Sequence, residues 1–282
     1  MYLKSYSHLV PTVDCGEYFA IEGIDRECNF NLKYRKLNKD FLESIEAKNG
    51  LAVVYCPPMP IASAHTKGLN INKLQHTHAH KYVSSIKNSR VDYLEIEGSA
   101  CASSLVGIAK ASNLIKHFGF EDVLVIADER MHEDVSELFL QMNIGVKGGD
   151  AFSAMHFSKS EQSDSCIKIS NEKVAYEYNS NPWLVSENGY KKVVTSEEFE
   201  CVKPHGTGTG VNNEAEANIT KGKTIVLSPE GLRYKQKYGH MQGASGSTEI
   251  CQMLDEHDNL PRTLCLAAGL GNFYAGLIIE KQ

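Results

Sequence analysis

The chain has 282 residues, 42% of them hydrophobic, enough to bury a large core in one body, and its formal net charge of −6 argues against nucleic acid as a main partner. No apolar run approaches a membrane span, and the opening MYLKSYSHLVPTVD lacks the basic start and apolar core of a signal peptide. Eight cysteines without regular spacing fit reduced thiols in a cytoplasmic protein better than a disulfide framework.

In chain order, a first basic cluster comprises Lys33, Arg35, Lys36 and Lys39, and a second Lys67, Lys73 and Lys81; either could dock an acidic partner, although charge runs are usually solvated surface. Residues 51–56 (LAVVYC) read as a strand. On a strand, His76, His78 and His80 would share one face and form a zinc site, but no carboxylate or cysteine stands at ligand spacing, so packing is the expected role and no metal is assigned.

Residues 91–97 (VDYLEIE) predict a strand, Gly98, Ser99 and Ala100 a tight turn, and Leu105, Ile108, Ala109, Ala111, Ser112 and Ile115 a helix. Cys101 thus stands on a strand-to-helix elbow. There the free N–H groups and the positive helix end favour a thiolate and can hold an oxyanion on an attached acyl group. Small residues on both sides clear space that a packing role would not need.

EDVLVIADE (121–129) and GDAFSAMHF (149–157) read as strands, whereas 159–200, the most polar stretch, reads as an exposed excursion. EFECVK (198–203) is an extended run delivering His205 into a Gly/Thr turn whose Thr207 and Thr209 can hydrogen-bond a polar ligand arm. EAEANITK (214–221) predicts a helix, and KTIVLS (223–228) and TLCLAAG (263–269) strands. His240, after Gly239, opens a run of small residues that continues into a tightly packed helix through Ile250, Met253 and Leu254. A lone histidine is more often a satisfied core residue than a catalyst; two in glycine-flanked turns point to a site.

These segments together resemble the β-ketoacyl synthases, condensing enzymes of the thiolase superfamily. The resemblance rests on Ala100-Cys101-Ala102-Ser103, on His205-Gly206-Thr207-Gly208-Thr209, on Lys235 through Gly239-His240 to Glu249, and on Gly269-Leu270-Gly271-Asn272, in that order. It implies an α/β, thiolase-like fold in which residues 1–282 form a single domain of two intimately fused, similar halves in an αβαβα layered arrangement.

The resemblance also implies roles. Cys101 would take an acyl group from a thioester, with the N–H groups of Cys101 and Leu270 as oxyanion hole. His205 and His240 would bind a malonyl thioester and stabilise the enolate left by decarboxylation. Lys235 would hold the histidines electrostatically, Glu249 would support them, and Thr207 and Thr209 would contact a phosphopantetheine arm. No bound cofactor is implied; substrates would arrive on the phosphopantetheine of an acyl carrier protein, and the chain would pair as a homodimer or with a second synthase-like chain.

Departures from the family pattern are Asn213 where an acidic residue usually follows the HGTGT turn, with Glu216 keeping the later carboxylate, and Leu270 and Asn272 in the gating loop. The chain is also shorter than typical members, before Cys101 and between Cys101 and His205. The function implied is decarboxylative Claisen condensation of an acyl thioester with a malonyl thioester in fatty acid or polyketide biosynthesis. The alternatives are a non-elongating decarboxylase, acyltransferase or hydrolase, or a partner resembling a chain-length factor, against which the retained Cys101, His205 and His240 argue.

Overall fold

The computed structural model describes residues 1–23, 30–58, 70–131, 133–141, 145–160, 166–178, 181, 185–194, 198–221 and 232–282. The predicted strand 223–228 and Lys67 lie outside them.

The principal strands are β1 (Tyr2–Leu9), β4 (Leu51–Cys56), β5 (Val91–Ile96), β6 (Asp122–Glu129), β8 (Ala151–Ser158), β9 (Ile167–Tyr176), β10 (Cys201–Lys203), β11 (Thr263–Gly269) and β12 (Phe273–Lys281). They form one nine-stranded sheet in the order β10-β11-β12-β9-β1-β8-β6-β4-β5. The short β2 (Val13–Asp14), β3 (Tyr18–Ala20) and β7 (Gly148–Gly149) make a separate three-stranded sheet.

The order is that of two similar halves. In the first, β5, β4 and β6 run parallel, β8 is antiparallel to β6, and β1 is antiparallel to β8. In the second, β10 and β11 are parallel, β12 is antiparallel to β11, and β9 is antiparallel to β12. The halves meet through β1 and β9, which pair only at Tyr2 with Lys168 and Leu3 with Ile167.

The layers follow from where apolar side chains must go. β4, β6 and β8 are buried along their whole length because both faces are covered, which explains their near-continuous apolar runs. One core contains Leu105, Ile108 and Leu114 of the helix Ser103–His117 (α4) and Ile250 and Met253 of the helix Ser245–Glu256 (α9), together with Val54, Val125, Leu277 and Ile279 from both halves of the sheet. α4 and α9 are therefore the middle layer. On the outer face of the first half, Tyr34 of α1 (Phe30–Leu37), Leu42 of α2 (Lys39–Ser44) and Tyr82 of α3 (Ile71–Val83) cover Val53, Leu124 and Phe152. On the outer face of the second, Tyr190 and Val193 of α6 (Glu187–Val193) and Ala215 and Ile219 of α7 (Gly210–Thr220) cover Leu264, Leu266 and Ile278. Two further helices, α5 (Glu133–Gln141) and α8 (Tyr234–Tyr238), complete the described helices. This is the αβαβα arrangement expected. No helix of the described residues is long and apolar enough to cross a membrane.

The inner helices begin alike. A 3₁₀ turn, Ala100–Ala102, leads into α4, and another, Gln242–Ala244, into α9. Each turn opens on a non-glycine residue with positive φ, 49° at Ala100 and 44° at Gln242. In this repeat Cys101 corresponds to Gly243.

Two expectations are corrected. The stretch 159–200 is not an excursion, since it supplies β9, a strand within the sheet, and α6. Asn171, at φ 54°, breaks the alternation of IKISNEKVAY, and the register against β12 shifts between Gly276 and Ile278, so no simple period of two survives in the sequence. The histidines 76–80 lie on the helix α3, not on a strand. At 100° per residue His76 and His80 face outward while His78 is buried on the opposite side, its burial lowering its pKa to about 4, so the three share no face.

Candidate active site

Cys101 lies where β5 ends and α4 begins, with 6% of its surface exposed. The elbow is drawn tight by Ala102 N–H donating to Ser99 O (3.1 Å) and Ser103 Oγ donating to Ala100 O (2.6 Å). Gly269, at the end of β11, rests directly on it: a Cβ there would lie 2.4 Å from Ser99 O and 3.1 Å from Ala102 N. That close approach brings the N–H of Leu270 to the Cys101 sulfur, beside the N–H of Cys101 itself, and both favour negative charge there.

The thiol is nonetheless not poised as thiolate. Burial pushes its pKa up to about 11, against the opposing pull of Lys235 and the two N–H groups. In the resting site its hydrogen is donated to Oε1 of Gln242 at 3.2 Å. The sequence reading of an elbow that favours the thiolate identified the stabilising groups but not the desolvation that outweighs them.

His205 follows β10 in a turn held from below by Glu216 of α7, whose Oε1 accepts from Gly206 N–H (2.9 Å), Asn212 Nδ2 (2.9 Å) and Tyr190 OH (3.3 Å). Gly206 has φ 72°, which a side chain would resist. Arg233 approaches the other Glu216 oxygen at 3.3 Å and donates to Asn213 Oδ1 at 2.8 Å. Asn213 therefore occupies the acidic position of the family pattern as a neutral acceptor. Thr207 is buried and Thr209 half-buried, with their hydroxyl oxygens 3.4 Å apart.

His240 sits after Gly239, its backbone bonded to Lys147 O (2.6 Å) and to Gly149 N–H (3.1 Å). Its Nδ1 accepts the backbone N–H of Gln242 (3.2 Å) and also meets Ser245 Oγ (3.2 Å), which places the ring proton of the neutral imidazole on Nε2. The His205 and His240 rings meet edge to face, centroids 5.5 Å apart, and Phe139 backs His240 at 5.4 Å. Burial lowers both imidazole pKa values well below the ordinary range, and Lys235 and Lys203 add to the effect. Both rings are neutral donors at physiological pH. Nδ1 of His205 is buried without a hydrogen-bond partner among the described residues.

Beneath the histidines, Glu249 of α9 is shared by two lysines. Lys235 Nζ lies 2.7 Å from Oε1 and Lys203 pairs with Oε2, all three side chains being at most 1% exposed. Lys235 and Glu249 are residues the motifs singled out; Lys203 and Gln242 are not. A lysine closing the apolar pair Cys201-Val202 of β10 was the available signal for Lys203. For Gln242 there was none, since its contact with Cys101 spans 141 positions.

The loop Gly269-Leu270-Gly271-Asn272 turns through positive φ at Gly271 (85°) and Asn272 (65°), with Leu270 half-buried over the elbow. The two basic clusters become neighbours, since Arg35 Nη1 of α1 donates to Lys81 O of α3 at 3.3 Å. Gln242 touches both Cys101 and His240, His205 packs against His240, Lys235 pairs with Glu249, and the Leu270 N–H meets the Cys101 sulfur.

No protein-family model matches the chain, and no curated protein matches it in sequence. Solved structures do match in fold. The ketosynthase from module 6 of the bacillaene synthase of Bacillus subtilis 168 superposes with a TM-score of 0.62 at 15% identity, over 87% of this chain and 56% of that one. The ishigamide ketosynthase/chain length factor gives a TM-score of 0.70 at 11% identity over 99% of each chain. An HMG-CoA synthase from Bacillus subtilis gives 0.65 at 16% identity over 98% of this chain and 79% of that one. The chain spans only about half the length of the bacillaene ketosynthase. It has the thiolase-like α/β fold of these proteins.

Proposed function

We propose that the chain is a condensing enzyme of the β-ketoacyl synthase kind, joining an acyl thioester to a malonyl thioester with loss of carbon dioxide. The observation that supports the reading is a buried thiol with two backbone donors at its sulfur, joined through Gln242 to His240, whose ring packs against that of His205.

In the first half-reaction the Cys101 sulfur attacks the carbonyl carbon of the incoming thioester, the carrier thiol leaves, and the proton lost by Cys101 ends on that leaving sulfur. The N–H groups of Cys101 and Leu270 hold the oxyanion. In the second, the C–C bond to the malonyl carboxylate breaks and carbon dioxide departs. The electron pair becomes an enolate whose oxygen accepts from His240 Nε2–H and from His205. The enolate carbon then attacks the acyl-Cys101 carbonyl, and the Cys101 sulfur leaves and regains a proton. Neutral imidazoles suit this step, because they donate to the developing charge without protonating the carbanion. Lys203 and Lys235 around Glu249 support that neutrality.

Thr207 and Thr209 would hydrogen-bond a phosphopantetheine arm, the donor being an acyl carrier protein. The site would be completed in a homodimer or with a second synthase-like chain. Fatty acid and polyketide assembly are the two settings for such a reaction. A second reading, malonyl-thioester decarboxylation without carbon–carbon bond formation, is favoured by the protonated, Gln242-bound thiol, since that step does not use the sulfur as nucleophile.

Native mass spectrometry of the chain with acylated and malonylated carrier proteins tests both. Condensation gives an acyl adduct that disappears on malonyl addition, with a β-ketoacyl carrier product. Decarboxylation alone gives an acetyl carrier and no longer product.

A further inference from the structure

Gln242 holds its side chain at a cost. Its φ of 44° is left-handed, the residue is 2% exposed, and its backbone is pinned by the N–H that donates to Nδ1 of His240 at 3.2 Å. The two ends of its carboxamide are used unequally. Oε1 accepts from the Cys101 thiol at 3.2 Å, whereas Nε2, with two hydrogens to donate, is buried without a hydrogen-bond partner among the described residues. Buried amides ordinarily have their donors filled.

The inequality matters when the thiol ionises. A thiolate has no hydrogen to give, so the lone pairs of Oε1 would face a negative sulfur that is itself only 6% exposed to water. Half a turn about the Cγ–Cδ bond exchanges the oxygen and nitrogen, which are close in size, and sets Nε2 where Oε1 stands, at hydrogen-bonding distance from the sulfur. This terminal torsion is broad and roughly two-fold, and turning it breaks no other hydrogen bond of the carboxamide among the described residues.

We infer that Gln242 is a further catalytic residue, an amide switch that accepts the hydrogen of the Cys101 thiol at rest and, turned over, donates Nε2–H to the sulfur when it carries negative charge. Its use in catalysis rests on the condensing reading above. In acylation the S–H···Oε1 bond breaks as the proton passes to the leaving carrier sulfur, and N–H···S replaces it. When the enolate later expels the Cys101 sulfur, the same N–H receives the departing charge, and reprotonation of the sulfur turns the amide back. No covalent bond of Gln242 changes. A hydrogen bond to a charged sulfur is stronger than one from a neutral thiol, so the switch favours the thiolate on balance.

The test is alkylation of Cys101 at about pH 9 by iodoacetamide and by the larger N-ethylmaleimide, followed by peptide mass mapping, in the unmodified chain, Gln242→Met and Gln242→Leu. Neither replacement has an N–H to donate or an amide oxygen to accept. Loss of the switch lowers the rate about three- to tenfold in each variant that folds, by the same factor for both reagents, because both require the thiolate. An acceptor alone would stabilise the thiol, and its removal would raise the rate instead. A rise, no change, or a fall that depends on reagent size overturns the inference. No thioester enters this measurement, so the condensing reading is judged apart from it, and is overturned by the absence of any acyl adduct on Cys101 from an acyl thioester.

Discussion

The imidazoles of His205 and His240 stand edge to face, their planes 79° apart and their centroids separated by 5.5 Å. The two rings are direct neighbours, and both are held neutral by burial and by nearby lysines. Replacing either by Ala is expected to lower malonyl-thioester decarboxylation by about a hundredfold or more, the usual cost of an oxyanion donor. Cys101→Gln, an acyl-enzyme mimic in shape, should leave or raise it. Release of labelled carbon dioxide measures all three; full condensation in a histidine variant would remove the mechanism.

The pKa of Cys101, pushed up by burial to about 11, sets a second expectation. Its alkylation by a small reagent should climb with pH through the range 8–10 without the plateau of an activated thiolate. Cys15 is exposed and should react first with such a reagent, whereas a thioester-shaped reagent should select Cys101. Peptide mapping of the labelled cysteines distinguishes the two.

Lys203 offers the third. It lowers the pKa of both histidines, with Lys235 and Glu249 the other charges in the cluster. Lys203→Met removes one cation and keeps the Lys235–Glu249 pair, so both imidazole pKa values should rise. Activity then starts to fall at a higher pH on the acid side, because protonated rings cannot stay neutral donors. The sign is fixed by linkage: depressed histidine pKa values cost stability as pH falls below about 6.5, and raising them makes that loss smaller. Glu249→Gln leaves two buried lysines facing each other and should cost about 3–5 kcal/mol in denaturant unfolding.

Gly269→Ala should separate acylation from substrate recognition. Its Cβ would meet Ser99 O at 2.4 Å, and since that neighbour is backbone, the Leu270 N–H must move away from the sulfur. Acylation of Cys101 should slow by a factor on the order of a hundred, measured in single turnover.

Pairing of subunits is the last expectation. β5 ends the sheet, bonded only to β4 among the described residues, and Tyr93 on it and Leu74 on α3 are exposed large apolar side chains. Sedimentation at micromolar concentration should show a dimer, and a fully active monomer would exclude it.

What the sequence revealed was local. Cys101, His205 and His240 each sit in a run of small residues that no packing role requires, and the strands at 51–56, 122–129 and 263–269 carry mostly apolar runs because both their faces are covered. What it concealed was long-range or irregular. Gln242 reaches the nucleophile only because the two inner helices start at the same place, and Lys203 of β10 joins Glu249 of α9, far away in sequence. The bulge at Asn171 disguised β9, and the histidines at 76–80 mimicked strand alternation on a helix whose apolar side is narrow. The height of the Cys101 pKa depends on how much protein surrounds it, which motifs do not encode.

The two lysines sharing Glu249 set a local charge opposite to that of the molecule. The chain as a whole carries six excess negative charges, yet in this cluster next to the imidazoles the cations outnumber the carboxylate they share. An anionic extender unit gains Coulomb energy as it moves inward, most where water is excluded. The proposed reaction then discards the very carboxylate that was attracted. Decarboxylation thereby abolishes the product's electrostatic hold on the site, so the same chemical step that drives the bond forward also loosens what must leave.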